Sequence, residues 1–283
     1  MKRRVSLLLA VLLAVSVFSV PALSEKASSG DYEYTIQEDG TAEISKYTGS
    51  EQVVTVPAEL DGITVTSVGK YAFDDNKTVT SIILPESVTA IRKCVFSGCE
   101  NLTEITLPKK LDILEERAFY GCKSLRSAEI PEGITVLPKQ LFAFCYALDS
   151  VTIPATVTEF GISCFYGCKG LISMTVPEGV TVLGPSAFYG CGNLESVILP
   201  ETLTFIDASA FTECVALAEI VIPDSVTEIS PLAFTVPSAD SFGFDPMETI
   251  TLIVTPGGYA ERYCKKNGLR YAYPPVEEPE PSP

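Results

Sequence analysis

The feature that most constrains this chain is a step of 23 residues. Eight phenylalanines keep it: Phe73, Phe96, Phe119, Phe142, Phe165, Phe188, Phe211 and Phe234. Prolines repeat it from Pro85 to Pro223, and cysteines from Cys99 to Cys214. A constant period in the range of about 20 to 50 residues is the signature of a repeat architecture. One such unit cannot bury its own apolar side. Stacked units can, because each repeated position becomes a column along the stacking axis.

The unit reads as alternating strand and turn. Counting from each phenylalanine, leucine stands six residues on, from Leu102 to Leu217. Apolar residues follow at nine and eleven, as in Ile82 and Leu84 or Ile220 and Ile222. Positions nine and eleven alternate with polar or variable ones, which is strand periodicity. The next residue is proline, which cannot donate to a ladder, so the strand is short. Parallel strands are expected near residues 80–84 and at each step to 218–222. Beyond the proline the apolar spacing becomes three, as in Val88 and Ile91. That suggests tight turns or one helical turn. Gly98, Gly121, Gly167 and Gly190 precede cysteines, where a positive φ is expected.

The run from Cys99 to Pro108, Cys-x-x-Leu-x-x-Ile-x-Leu-Pro, and Ala118 to Cys122, Ala-Phe-x-x-Cys, resembles the BspA-like leucine-rich repeats of bacterial surface proteins. The resemblance covers about two-thirds of the chain. It implies a curved, horseshoe-like leucine-rich-repeat solenoid with a parallel sheet on the concave side. It also implies secretion or surface display, and binding to other proteins or host matrix. It brings no catalytic residues.

The ends of the array read differently. Lys2, Arg3 and Arg4 precede the apolar run Val5 to Val20, and Ala22-Leu23-Ser24 offers a cleavage site. Residues 1–24 are therefore expected to be a secretory signal. The rival is a retained anchor, for which the run is short. Residues 25–72 are expected to form an N-terminal cap and an irregular first repeat. In it Tyr32 to Tyr47 forms a hairpin turning at Asp39-Gly40, and five extra residues around Asp61-Gly62 protrude as a loop. Residues 73–234 are the array and 235–273 a C-terminal cap. The cap has a loop from Ser238 to Pro246, a strand from Thr249 to Val254, and a short helix from Tyr259 to Asn267 closed by Gly268. An extended piece from Leu269 to Tyr273 completes it. Residues 274–283, rich in proline and glutamate, are a tail or linker.

Composition narrows the function classes. The chain has no histidine, which removes the usual general base and the commonest metal ligand. Its carboxylates are scattered and no glycine-rich phosphate loop occurs. Catalytic residues, cofactor sites and metal sites are therefore expected to be none. Formal net charge is −16, and loss of Lys2, Arg3 and Arg4 with the leader takes it to −19. Such acidity argues against nucleic acid and anionic membrane surfaces as partners. The protein is expected to be a monomer, with no membrane insertion after removal of the signal.

Nine cysteines in an exported chain first suggest disulfides. Six stand in one column, however, and equivalent side chains on stacked rungs point the same way. The disulfide dihedral near 90° is then hard to reach. Buried thiols acting as small apolar residues are the favoured reading over pairing or metal ligation.

Two surfaces are candidates for recognition. The outward positions of the strands are short and polar, and the candidate ligand surface there is Glu104, Thr106, Glu129, Thr152 and Thr175. Beside the phenylalanines stand Tyr120, Tyr166 and Tyr189, aromatics with a polar tip, with Phe144 near the gap at Ala143. The bland readings are a solvated sheet for the first and packing between turns for the second. The expected function is a secreted or cell-surface, non-enzymatic module binding a protein or glycan. The rivals are a spacer that displays another domain, and an enzyme.

Overall fold

The structure is a computed structural model and describes residues 25–237 and 244–275. The expected signal (1–24), the middle of the Ser238 to Pro246 segment (238–243) and residues 276–283 of the tail lie outside the described residues. The chain is a β-solenoid whose rungs follow the 23-residue step.

The phenylalanine turn is the most continuous part of the stack. On each turn from Phe73 to Phe188 three alternate N–H groups donate to the next rung. Those of Cys94, Phe96 and Gly98 reach the carbonyls of Glu116, Ala118 and Tyr120 at 2.7–3.1 Å. The same triplet recurs at Arg117, Phe119 and Gly121, and at Gln140, Phe142 and Phe144. Left-handed residues make this possible. Position minus two from the phenylalanine has φ between 56° and 63° on every rung from Tyr71 to Ser209. Position plus two is also left-handed, and at Gly98, Gly121, Gly167 and Gly190 φ is 69–71°, as the sequence suggests. The minus-two column holds no glycine, so nothing in the sequence marks it. Each such residue costs backbone energy, which the inter-rung hydrogen bonds offset.

Inside the turn the rings stack. From Phe96 to Phe234 neighbouring rings lie 5.2–5.6 Å apart and within 13° of parallel. All eight are buried. Each cysteine of the column sends its thiol back to the preceding rung: Cys122 Sγ donates to the Phe96 carbonyl at 3.1 Å, and Cys145 Sγ to Phe119 at 3.0 Å. The pattern runs without a gap from Cys99 to Cys214. All nine cysteines are buried and unbonded to one another. Cys164 takes the alanine position before the phenylalanine, and Cys94 a left-handed position. Burial raises the pKa of the column thiols well above the ordinary range, so they stay protonated donors.

The expected strands form, each three residues long, from Ser81–Ile83 to Glu219–Val221. They are parallel and in register at the 23-residue step, as in Ser127↔Ser150 and Met174↔Val197. Their hydrogen-bonded ladder is interrupted, for example between Glu104–Thr106 and Ser127–Glu129. The segment expected to be only turns holds a second parallel ladder of two-residue strands. It includes Val136–Leu137, Glu159–Phe160 and Val182–Leu183. Three-residue apolar spacing arises there because one buried residue ends the turn after proline, as at Val157, and the next belongs to the strand, as at Phe160.

The N-terminal hairpin is present, with an unexpected third strand. Glu25–Ser29 pairs antiparallel with Tyr32–Ile36, which pairs with Ala42–Tyr47. Ala42–Tyr47 then runs parallel to Ile63–Val68, so cap and array share one sheet. Tyr47 continues the ring stack onto Phe73 at 4.9 Å, and Tyr32 continues it further. The insertion at Asp61-Gly62 is a correction to the expected loop. It is a tight hairpin in which Glu59–Leu60 pairs with Ile63–Val68 and both turn residues are left-handed. The Asp61 carboxylate accepts hydrogen bonds from Tyr34 Oη at 2.9 Å and Ser29 Oγ at 2.7 Å, which fold the hairpin onto the cap.

At the other end Thr251–Ile253 joins Glu219–Val221 and Arg270–Ala272 in a parallel sheet. The helix Tyr259–Asn267 ends at Gly268, φ 69°. The segment read as a loop up to Pro246 instead ends in a strand, Phe244–Pro246, antiparallel to Thr235–Pro237. Glu261, only 5% exposed, ties this end together. It accepts from Lys265 Nζ at 2.5 Å, the Gly257 N–H at 2.6 Å and Tyr273 Oη at 2.8 Å. These donors, Lys265 first, lower its pKa to about 2.

Two outcomes follow. A thiol reagent should label the native protein poorly and all nine cysteines after denaturation without reductant; three or fewer reactive thiols would mean that the six-membered column is oxidised. Because the folded pKa of Glu261 is depressed, its contribution is present above the unfolded value and fades as pH falls from 4.5 toward about 2. Glu261→Gln should therefore lower the melting temperature at about pH 6 and leave it equal to that of the parent protein near pH 2. An equal deficit at both values would remove the ionic role.

Candidate binding surfaces

The first surface is the outer face of the three-residue strands. Each strand is a pleat with its central residue directed inward and both flanks outward. Glu104, Thr106, Glu129, Thr152 and Thr175 are all exposed there. Ser81, in the same outward column, is a correction to its expected exposure: it is buried, and its Oγ donates to Glu104 Oε1 at 2.8 Å. Toward the C-terminal end the face becomes aliphatic. Ile198 is 64% exposed and Val221 57%, stacked in one column.

Thr106, Glu129 and Thr152 line one groove of about 390 Å³. Its walls include Ile105, Lys109 and Pro131. The groove opens where the ladder is interrupted between Glu104–Thr106 and Ser127–Glu129. Sequence reasoning selected these columns from alternation alone. It had no signal for the interruption, because the 23-residue step passes through it unchanged. Thr175 and Glu104 lie on the same face outside the groove lining.

The second surface is the edge formed by the phenylalanine turns. Tyr166 and Tyr189 stack with ring centroids 4.8 Å apart and 4° from parallel. Tyr189 Oη donates to Glu213 Oε1 at 3.1 Å. Tyr120 lies two rungs from Tyr166, and Phe144 bridges them edge-on, 5.4 Å from Tyr120 and 5.1 Å from Tyr166. Tyr146 joins this group at 6.2 Å from Phe144 and was not singled out from the sequence. Lys169 Nζ sits 5.6 Å from the Tyr146 ring, and Arg117 Cζ 5.7 Å from that of Tyr120. Both cations lie within cation–π range of the rings. The expected packing between turns is present, and Tyr120, Tyr166 and Tyr189 are each half-buried.

The BspA type leucine rich repeat region matches residues 66–191 and 158–251, in six copies. Among solved structures, the leucine-rich repeat protein TpLRR of T. pallidum is 31% identical. The match covers 68% of this chain and 91% of that one, with a TM-score of 0.64. A leucine-rich repeat protein of Bacteroides ovatus is 24% identical over 87% of this chain and 67% of that one, with a TM-score of 0.60. Comparison with curated proteins gives no match.

Burial, and then the hydrogen bond to Glu213, push the Tyr189 pKa up to about 12. Since the folded value exceeds the ordinary one, the contribution of this phenol is complete below pH 10 and is lost as pH rises toward about 12. Of the twelve tyrosines, the one removed by Tyr189→Phe should belong to the late-titrating group in an ultraviolet pH titration. Loss of an ordinary phenol near pH 10 would show that the edge is solvated.

Proposed function

We propose that this chain, which belongs to the BspA type leucine-rich repeat family, is an exported or surface-displayed recognition module without catalytic activity that holds a protein partner on its outer sheet face. The observation that carries this reading is the groove lined by Thr106, Glu129 and Thr152, set in a face that turns aliphatic at Ile198 and Val221. Short threonines let a partner approach the backbone over several rungs. The exposed aliphatic pair gives it an apolar anchor, the kind of patch a lone soluble surface keeps small. Contacts over successive rungs add up to an interface of about 800 Å² per partner, the usual size for specific complexes. The basic, apolar start of the sequence supports export, and so does the family's presence among bacterial surface proteins.

The test is binding of purified protein to immobilised host matrix proteins and mucin. Thr152→Arg with Thr175→Arg places two long cations on the exposed face, where the fold tolerates them. It should weaken binding by about tenfold or more, while Tyr166→Ala with Tyr189→Ala leaves it nearly unchanged. If the threonine pair keeps affinity within about twofold and the tyrosine pair abolishes it, the interface is the turn edge and the sheet-face reading falls.

A further inference from the structure

A second site lies away from the sheet face, on the edge of the phenylalanine turns. A pocket of about 370 Å³ opens there, walled by Tyr120, Phe144 and Tyr146 and rimmed by Asp75, Glu100 and Lys123. That volume falls within the usual range of small-molecule sites. We propose that this pocket binds one pyranose unit of a neutral glycan.

Phe144 is the first reason. It occupies the plus-two position, which is glycine at Gly98, Gly121, Gly167 and Gly190. Its φ is 63°, a left-handed conformation that a bulky side chain seldom adopts. Left-handed residues occur on every turn, where inter-rung hydrogen bonds offset their cost, but between Asp75 and Glu213 this column otherwise holds only glycine or an acidic residue, and Phe144 is its one bulky aromatic. The following rung makes room for the ring: a Cβ added at Gly167 would meet Phe144 Cδ1 at 3.3 Å. The ring therefore rests on a glycine and stands half-buried at the turn edge. Beside it, Tyr146 is 41% exposed.

The rim is the second reason. Lys77 Nζ binds Asp75 at 3.0 Å and Glu100 at 2.9 Å, and Lys123 Nζ binds Glu100 at 3.2 Å. With Lys77, which pairs with both carboxylates from outside the pocket lining, two carboxylates and two ammonium groups cancel, so the rim and its partner have no net charge to offer an ion. In a chain of net charge −16, an anionic sugar gains nothing by approaching it. The protons of Lys77 are all engaged, by Asp75, the Gly98 carbonyl and Glu100, whereas the carboxylate oxygens keep free lone pairs and Lys123 keeps free protons. Paired and held in place, they are preorganised to meet vicinal hydroxyls. A pyranose presents that combination: an apolar C–H face for an aromatic wall and a girdle of hydroxyls for a polar rim.

The backbone supplies the third reason. A peptide would add itself to free N–H and C=O groups, but here they are engaged. Gly98 N–H donates to the Tyr120 carbonyl at 2.7 Å, and Gly121 N–H to Ala143 at 2.8 Å. Recognition falls to side chains, which suits a sugar better than a strand.

With no tryptophan, emission comes from the twelve tyrosines, of which Tyr120 and Tyr146 wall the site. Full-length protein would be titrated with cellotetraose, xylotetraose and mannotetraose, and with tetragalacturonate as the anionic counterpart. At least one neutral tetrasaccharide should change the emission saturably, with a Kd of about 1 mM or tighter. Tyr146→Ala and Phe144→Gly should each weaken it by about tenfold or more. Phe144→Gly should keep the parent's melting temperature or raise it, since it relieves a left-handed phenylalanine. Thr152→Arg with Thr175→Arg should leave the sugar Kd unchanged, which separates this site from the sheet face. Binding of tetragalacturonate alone, binding of none of the four, or full affinity in a folded Tyr146→Ala protein would each overturn the assignment. So would a large fall in melting temperature for Phe144→Gly, which would make the ring a structural prop.

Discussion

The constraint on which the rest of this solenoid depends is the hydrogen-bond ladder at the phenylalanine turn. It runs through rungs where the strand ladders are interrupted. Three N–H groups per turn must face one neighbour, and an ordinary extended or helical backbone does not aim them there at such close spacing. Left-handed residues on either side of the phenylalanine do. The turn therefore fixes the rise between rungs, and the rings, thiols and strands adopt it.

Once that rise is set, the interior follows. A phenylalanine on every rung must stack on its neighbours at about the rung spacing, which yields near-parallel rings rather than the edge-to-face contacts common in irregular cores. The cysteine sulfur is small enough to sit behind the turn and weakly polar enough to bond the carbonyl of the rung before. A leucine there would fill the space without the hydrogen bond; a serine would add a strongly polar hydroxyl to a buried column. The column thus carries one job, and sequence alone distinguishes it from a disulfide framework only through its spacing.

With stability carried inside, the outward strand positions and the turn edge are free to vary, and both display groups suited to recognition. The outer columns were legible as exposed because strand alternation forces every second side chain outward. Ser81 escapes this rule because Glu104 on the next rung covers it and accepts a hydrogen bond from its hydroxyl. The edge was half legible. Tyr120, Tyr166 and Tyr189 share a column, whereas Tyr146 stands four residues past its phenylalanine and meets them only through Phe144. No one-dimensional period joins Phe144 to residues on other columns; the left-handed backbone does that by swinging its side chain out of register.

The sequence by itself determined the period, the identity of the buried columns, the parallel strands and the termini that break the pattern. Each of these depends on a residue type recurring at fixed separation, which one dimension records in full. Only the tertiary structure decided the second ladder, the antiparallel third strand of the cap, the Asp61 hairpin, the interruptions of the outer sheet and the groove at one of them. These depend on hydrogen bonds between rungs and on φ at residues such as Gln140 and Ser186, whose side chains do not announce a left-handed backbone. Neighbouring rungs impose that conformation, so it exists only once the stack has formed.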